Sequence, residues 1–219
     1  MRIELPDATP AELALPGGTP TRGLVLFPDI GGLRPLFDEL CARLAGEHGW
    51  AVCAVEPFPG RTDLPVGERL EAMSSYDTDA YLRSAGLAAE HLQSLGADPV
   101  AALGFCMGGM AAYLAAGVGR YDRVVSFYGM IHVPESWAGT VPDPLAATTA
   151  PGASQVLAIV GTADGFTPPA DVADLEATGA RVVKYEGAEH GFVHDPSRPV
   201  HRGDDAADAW ARVAAFLGA

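Results

Sequence analysis

Gly104-Phe105-Cys106-Met107-Gly108-Gly109 decides how this chain is read. It is a G-x-S-x-G nucleophile elbow with cysteine in the serine position. In such a turn a strand passes abruptly into a helix and leaves its central residue strained and exposed. Glycines two positions to either side let the two backbones pass closely. Gly109 gives further room against the next strand. The cysteine then sits at a helix N-terminus, where the positive dipole end favours thiolate, and the Met107 N–H can donate to an oxyanion. The competing reading is a buried structural cysteine in a glycine-rich turn, which is how Cys41 and Cys53 are read.

Outward from the elbow, apolar runs alternate with longer amphipathic stretches over the whole chain. That is the pattern of an α/β fold with a twisted, mainly parallel sheet and helices on both faces. Strands are expected at Gly23–Pro28, Trp50–Val55, Pro99–Leu103, Arg123–Phe127, Gln155–Val160 and Arg181–Tyr185. Residues 2 to 15 add one or two antiparallel edge strands. Phe37, Leu40, Cys41, Leu44 and His48 mark one helix. Tyr81, Ala85, Ala88, Leu92 and Leu95 mark another, capped by Asp77 or Thr78. Small residues from Met110 to Gly117 form a third, Asp171–Ala177 a fourth and Asp204–Leu217 a terminal one. Phe58 to about Met73 reads as a long charged loop, and His132 to Ala153 as loop or short helix. No repeat or linker interrupts the 219 residues, so one domain over 1–219 is expected.

Composition narrows the function classes. Fourteen basic residues stand against 28 acidic ones, net −14 at pH 7. Such a surface repels phosphate backbones and anionic lipid, so neither nucleic acid nor membrane is expected as a partner. Lys184 is the only lysine and Val183 precedes it, which excludes a P-loop. Asparagine is absent, which excludes a Cys-His-Asn triad. Three cysteines without a CxxC make a disulfide framework or zinc ribbon a poor fit and suit a reducing compartment. No apolar run is long enough to span a membrane and the first residues lack a signal-peptide pattern, so a cytoplasmic location is expected.

A nucleophile needs a base, and the base needs an orienting acid. In folds built on this elbow the order is nucleophile, acid, histidine, each just past a strand end. The strand at Gln155–Val160 runs into Gly161-Thr162-Ala163-Asp164-Gly165, and the strand at Arg181–Tyr185 into Glu186-Gly187-Ala188-Glu189-His190. Cys106, Asp164 and His190 are therefore the expected triad. Glu189 competes with Asp164 but neighbours on an extended loop point apart. The loop Phe27-Pro28-Asp29-Ile30-Gly31-Gly32 is expected to supply the second oxyanion donor, the Ile30 N–H. Asp29 is expected to modulate the nucleophile by holding its proton as S–H; the alternative is that it begins a turn. His190, His194, Asp195 and His201 could be read as a metal site, but Gly191, Pro196 and Pro199 make the segment a loop, so no metal is expected.

The chain resembles the dienelactone hydrolase family, the cysteine branch of the α/β-hydrolase superfamily. The resemblance rests on the elbow, the loop Phe27–Gly32, Val55-Glu56-Pro57-Phe58, Phe127-Tyr128-Gly129, Gly161–Asp164 and His190-Gly191-Phe192. It implies the α/β-hydrolase fold and hydrolysis of a small ester or lactone through a thioester, without cofactor. It also implies an acidic residue at Asp29 and two arginines that hold a substrate carboxylate. Arg61 matches one of these, and His194 stands where the other is expected. Tyr128 and Phe192 are implied at the pocket. With one arginine absent, uncharged or singly charged esters and lactones are expected. A binding or sensing protein with little turnover, or an acyl-transfer or thiol-redox enzyme on the same fold, are the alternatives. Monomer and homodimer are both open.

Overall fold

The computed structural model describes residues 1–218. Its strands are Arg2–Glu4 (β1), Pro10–Ala14 (β2), Arg22–Phe27 (β3), Trp50–Val55 (β4), Val100–Phe105 (β5), Arg123–Phe127 (β6), Gln155–Gly161 (β7) and Arg181–Tyr185 (β8). The helices are Pro35–His48 (α1), Val66–Ala72 (α2), Thr78–Ser94 (α3), Met107–Ala116 (α4), Pro144–Thr148 (α5), Pro169–Ala177 (α6) and Gly203–Leu217 (α7). The strand order is β1-β2-β4-β3-β5-β6-β7-β8. The contacts group into two units, residues 1–102 with 133–142, and residues 103–132 with 143–219, so that β5 begins in one and ends in the other.

In the first unit, β3 and β4 are parallel with Val25 opposite Cys53. β2 runs antiparallel to β4, and β1 antiparallel to β2, as the sequence pattern implies for the chain start. Every residue of β3 and β4 is buried, which is why both read as continuous apolar runs rather than alternating ones. α1 begins with Pro35 in its first turn and ends on Gly49 in the left-handed conformation (φ 70°), whose N–H returns to the Ala45 carbonyl. α3 is capped by the Asp77 carboxylate, which accepts the Ala80 N–H at 2.8 Å.

The expected loop from Phe58 to Met73 contains α2, followed by one 3₁₀ turn at Met73–Ser75. Periodicity misses α2 because its apolar side chains Val66 and Leu70 face solvent while an arginine is buried. Arg69 donates to Glu56 at 3.3 Å and to the Leu64 carbonyl at 3.0 Å, and lies over the Phe58 ring. The Glu56 side chain is 0% exposed and that of Arg69 3%. The same carboxylate accepts the N–H groups of Leu33 (2.9 Å) and Phe58 (3.0 Å), so one buried charge ties the loop after β3 to the loop after β4.

In the second unit, β6, β7 and β8 are parallel, with Val125 opposite Leu157 and Ile159 opposite Val183. α4 starts at Met107, three residues earlier than the small-residue run suggests, because the glycines of the elbow belong to its first turn. α7 buries Ala206, Ala209, Val213, Phe216 and Leu217.

Removing one member of a buried ion pair leaves the other charged and unpartnered, at a cost of about 3–5 kcal/mol. Arg69→Met is therefore expected to lower unfolding stability by about 3 kcal/mol or more, read from the urea midpoint. A shift no larger than that of the exposed-pair variant Arg43→Met would show that the pair does not anchor these loops.

Candidate active site

Cys106 sits between β5 and α4 at φ 56°, a left-handed conformation that a non-glycine residue adopts only when its surroundings impose it. Two features impose it here. An added Cβ on Gly104 would lie 1.9 Å from the Gly108 carbonyl oxygen, so only glycine permits the strand and helix to pass. The Cys106 N–H donates to the Phe127 carbonyl at 3.0 Å, which fixes the turn to the end of β6. Met107 follows as the first residue of α4, and its N–H has no acceptor within the helix. Cys106 is partly exposed, whereas Cys41 and Cys53 are buried with their thiols pushed up by that burial, Cys53 to about 12.

Asp164 lies in the turn after β7. Its side chain is fully buried and both oxygens are engaged: Oδ1 accepts the Phe166 N–H and Oδ2 accepts His190 Nδ1, each at 2.8 Å. The loops of Asp164 and His190 are joined where the Ala163 N–H meets the Ala188 carbonyl at 3.0 Å. A Cβ on Gly161 would be 2.2 Å from that carbonyl, so this joint also depends on glycine. The His190 side chain is 19% exposed and is hydrogen-bonded to the Cys106 side chain as well. With Nδ1 taken by Asp164, the contact to Cys106 falls to Nε2. Burial alone would push the His190 pKa down. The hydrogen bonds to Asp164 and Cys106, with their charge, outweigh it and raise the value from 6.5 to about 9. The three residues read from sequence are thus gathered around one imidazole.

The remaining expected residues fall as follows. Tyr128 and Phe192 are fully buried; their rings lie 5.8 Å apart, and Tyr128 meets His190 edge-on at 5.1 Å. His194, expected at the substrate, is 7% exposed and pairs through Nδ1 with the Tyr128 hydroxyl. In the first unit, Asp29 accepts the Gly31 N–H at 2.9 Å and is held by both arms of the Arg34 guanidinium at 2.6 and 2.8 Å. Asp29 thus sits in a turn, largely buried, with an arginine partner that the sequence pattern did not single out. The Ile30 carbonyl accepts from Arg69 at 3.4 Å. Arg61 is exposed and lines a cavity of about 450 Å³ together with Phe58, Tyr76 and Tyr81. Among the described residues, no three His, Cys, Asp or Glu side chains are gathered to hold a metal ion, and no helix is long and apolar enough to cross a membrane.

Phe166 is a site residue that sequence reasoning missed. It is 56% exposed and its ring stands edge-on to His190 at 4.8 Å. The available signal was an aromatic residue in an otherwise polar turn, two positions past the acid, where nothing in the local pattern would bury it.

The family model for the dienelactone hydrolase family matches residues 9–219. A Synechocystis protein that carries the provisional name carboxymethylenebutenolidase is 31% identical over 206 residues, covering 87% of this chain and 82% of its own length. Two solved structures share the fold. A Klebsiella pneumoniae protein provisionally described as a dienelactone hydrolase superposes with a TM-score of 0.88 at 23% identity, over 100% of this chain and 98% of its own. A dienelactone hydrolase-like promiscuous phosphotriesterase from metagenomic libraries gives 0.78 at 21% identity, over 99% and 96%. A family match over nearly the whole chain, on a mostly parallel sheet with the strand order found here, leaves one conclusion: the chain belongs to the dienelactone hydrolase family and is a hydrolase of the α/β-hydrolase fold.

Proposed function

We propose that the chain hydrolyses a small ester or lactone with Cys106 as nucleophile, His190 as general base and acid, and Asp164 as the group that orients His190. The observation that carries this reading is the bridged imidazole: His190 is bonded on one side to a fully buried carboxylate and on the other to a thiol held at positive φ.

The steps balance without a cofactor. At neutral pH His190, raised to about 9, already holds on Nε2 the proton given up by Cys106. Cys106 Sγ therefore attacks the substrate carbonyl carbon as the sulfur of a thiolate–imidazolium pair. The oxyanion that forms is held by the Met107 N–H at the start of α4. His190 then gives its proton to the leaving oxygen, the C–O bond breaks, and an acyl thioester remains. In a lactone the leaving hydroxyl stays tethered to the acyl group. Water attacks the thioester and loses its proton to His190; the C–S bond breaks and the thiol is restored. Throughout, Nδ1–H stays on Asp164, which stabilises the imidazolium in both halves.

Cys106→Ala and His190→Ala are each expected to reduce turnover of an activated ester by about 10³-fold or more, and the double variant to be little worse, because neither group works alone. Intact mass after rapid quenching should show an acyl group on the wild-type chain and none on Cys106→Ala. Additive losses, or fast turnover by Cys106→Ala, would refute the assignment.

The pH dependence follows from the raised His190 value. A group whose folded pKa lies above its unfolded one contributes stability that is fully present below the unfolded value, here 6.5, and is lost as pH rises through about 9. Titration of the His190 ring by NMR should therefore give a midpoint near 9 in the wild type, moving down towards 6.5 in Cys106→Ala and in Asp164→Asn. A midpoint that stays in place in both variants would mean that neither contact sets it.

A further inference from the structure

We propose that His194 and Tyr128 form a positioning pair that sets the His190 ring against Cys106, so that His194 acts through Tyr128 and not on substrate. The inference rests on the reading of His190 as the base.

Four contacts close a circuit around the site. The Tyr128 hydroxyl pairs with His194 Nδ1. The His194 ring stacks on Phe105 at 4.9 Å and 27°, and Phe105 is the residue before Cys106. The Tyr128 ring stands edge-on to His190 at 5.1 Å and 67°. His190 hydrogen-bonds Cys106. The path from thiol to base thus has a second route behind it, through Phe105, His194 and Tyr128. His194 is also four residues past His190 on the same loop, so its pairing with Tyr128 fixes that loop as well as the ring.

Tyr128 is suited to transmit position. It follows β6 at φ 41°, in the left-handed region, where a bulky residue persists only if its surroundings hold it. Its N–H donates to the Ile159 carbonyl at 2.8 Å, and the carbonyl of the preceding Phe127 accepts the Cys106 N–H. The backbone is pinned to β7 on one side and to the elbow on the other. The ring packs against Phe105, Phe192 and His194, and the hydroxyl's pairing with His194 Nδ1 adds a directional contact to that packing. With both its own ring and the His194 ring buried, a change at the hydroxyl is passed to the His190 edge and not absorbed by solvent. Burial of His194 also means that this position offers no exposed cation to a substrate carboxylate.

The test uses Tyr128→Phe, which removes only the hydroxyl, His194→Phe, which keeps the stack without the hydrogen bond, and His194→Gln, which keeps a hydrogen-bonding side chain. Acylation rate, substrate dissociation constant and melting temperature are measured with an activated ester and with a carboxylate-bearing lactone. Tyr128→Phe and His194→Phe are each expected to slow acylation by about 10- to 100-fold, the range that misplacement of a reacting group produces, with the substrate dissociation constant read from the concentration dependence of the burst rate unchanged. The double variant should be no slower than the worse single one, and His194→Gln should recover most of the rate. Unchanged acylation in Tyr128→Phe, or additive losses in the double variant, would overturn the proposal. So would a rise in that dissociation constant confined to the carboxylate-bearing lactone in His194→Phe, the mark of direct substrate contact. A wild-type protein without any burst would instead overturn the cysteine reading itself.

Discussion

A methyl group on Gly104 would meet the Gly108 carbonyl oxygen at 1.9 Å, a distance no packing can relax. That single clearance governs the site. Because β5 and α4 pass so closely, Cys106 has to take a positive φ, and its N–H is turned to the Phe127 carbonyl. The Phe127 carbonyl in turn fixes the end of β6, where Tyr128 begins. From there the arrangement spreads by backbone hydrogen bonds: Tyr128 to Ile159 on β7, β7 to the Asp164 turn, and Ala163 to the Ala188 carbonyl beside His190. Side chains separated by 26 residues meet because rigid strand ends deliver them, which is where open parallel sheets place their ligands.

The strands were readable because burial leaves a strong trace. Trp50–Val55, Arg123–Phe127 and Arg181–Tyr185 have the bounds that their apolar runs suggest, and β7 exceeds its run by one glycine. Cys106, Asp164 and His190 could be singled out because chain order and strand ends are linear properties of a sequence. What escaped is what depends on pairing across the chain without periodicity. α2 has no apolar stripe, since its buried face is an arginine whose partner Glu56 lies 13 residues upstream. The Tyr128–His194 contact spans 66 residues between two loops, and no local rule joins them. Phe166 was passed over because an exposed aromatic ring is unremarked by patterns that look for burial.

Charge is handled differently at the two carboxylates nearest the strand ends of the first unit. Glu56 is buried whole and shared among Arg69 and two backbone N–H groups, a fully satisfied network that joins two loops. Asp29 is gripped by the Arg34 fork, whose side chain stays 32% exposed, and by its own turn. A bidentate pair of this kind fixes geometry as well as charge. The loop that carries Ile30 is therefore bounded by an ion pair on either side, Asp29–Arg34 within it and Glu56–Arg69 beneath Leu33 and the Ile30 carbonyl.

The contrast among the three thiols has a practical reach. Cys41 and Cys53 are buried in the core, which pushes both thiols far towards the neutral form, while Cys106 alone reaches solvent in part. The chain thus carries a built-in single-site tag. A fluorophore or spin label added to the unmodified protein lands on the elbow, and the two silent thiols become countable only as the core opens. One reagent can then separate occupancy of the elbow, read by protection of the first thiol, from loss of the fold, read by the appearance of the other two.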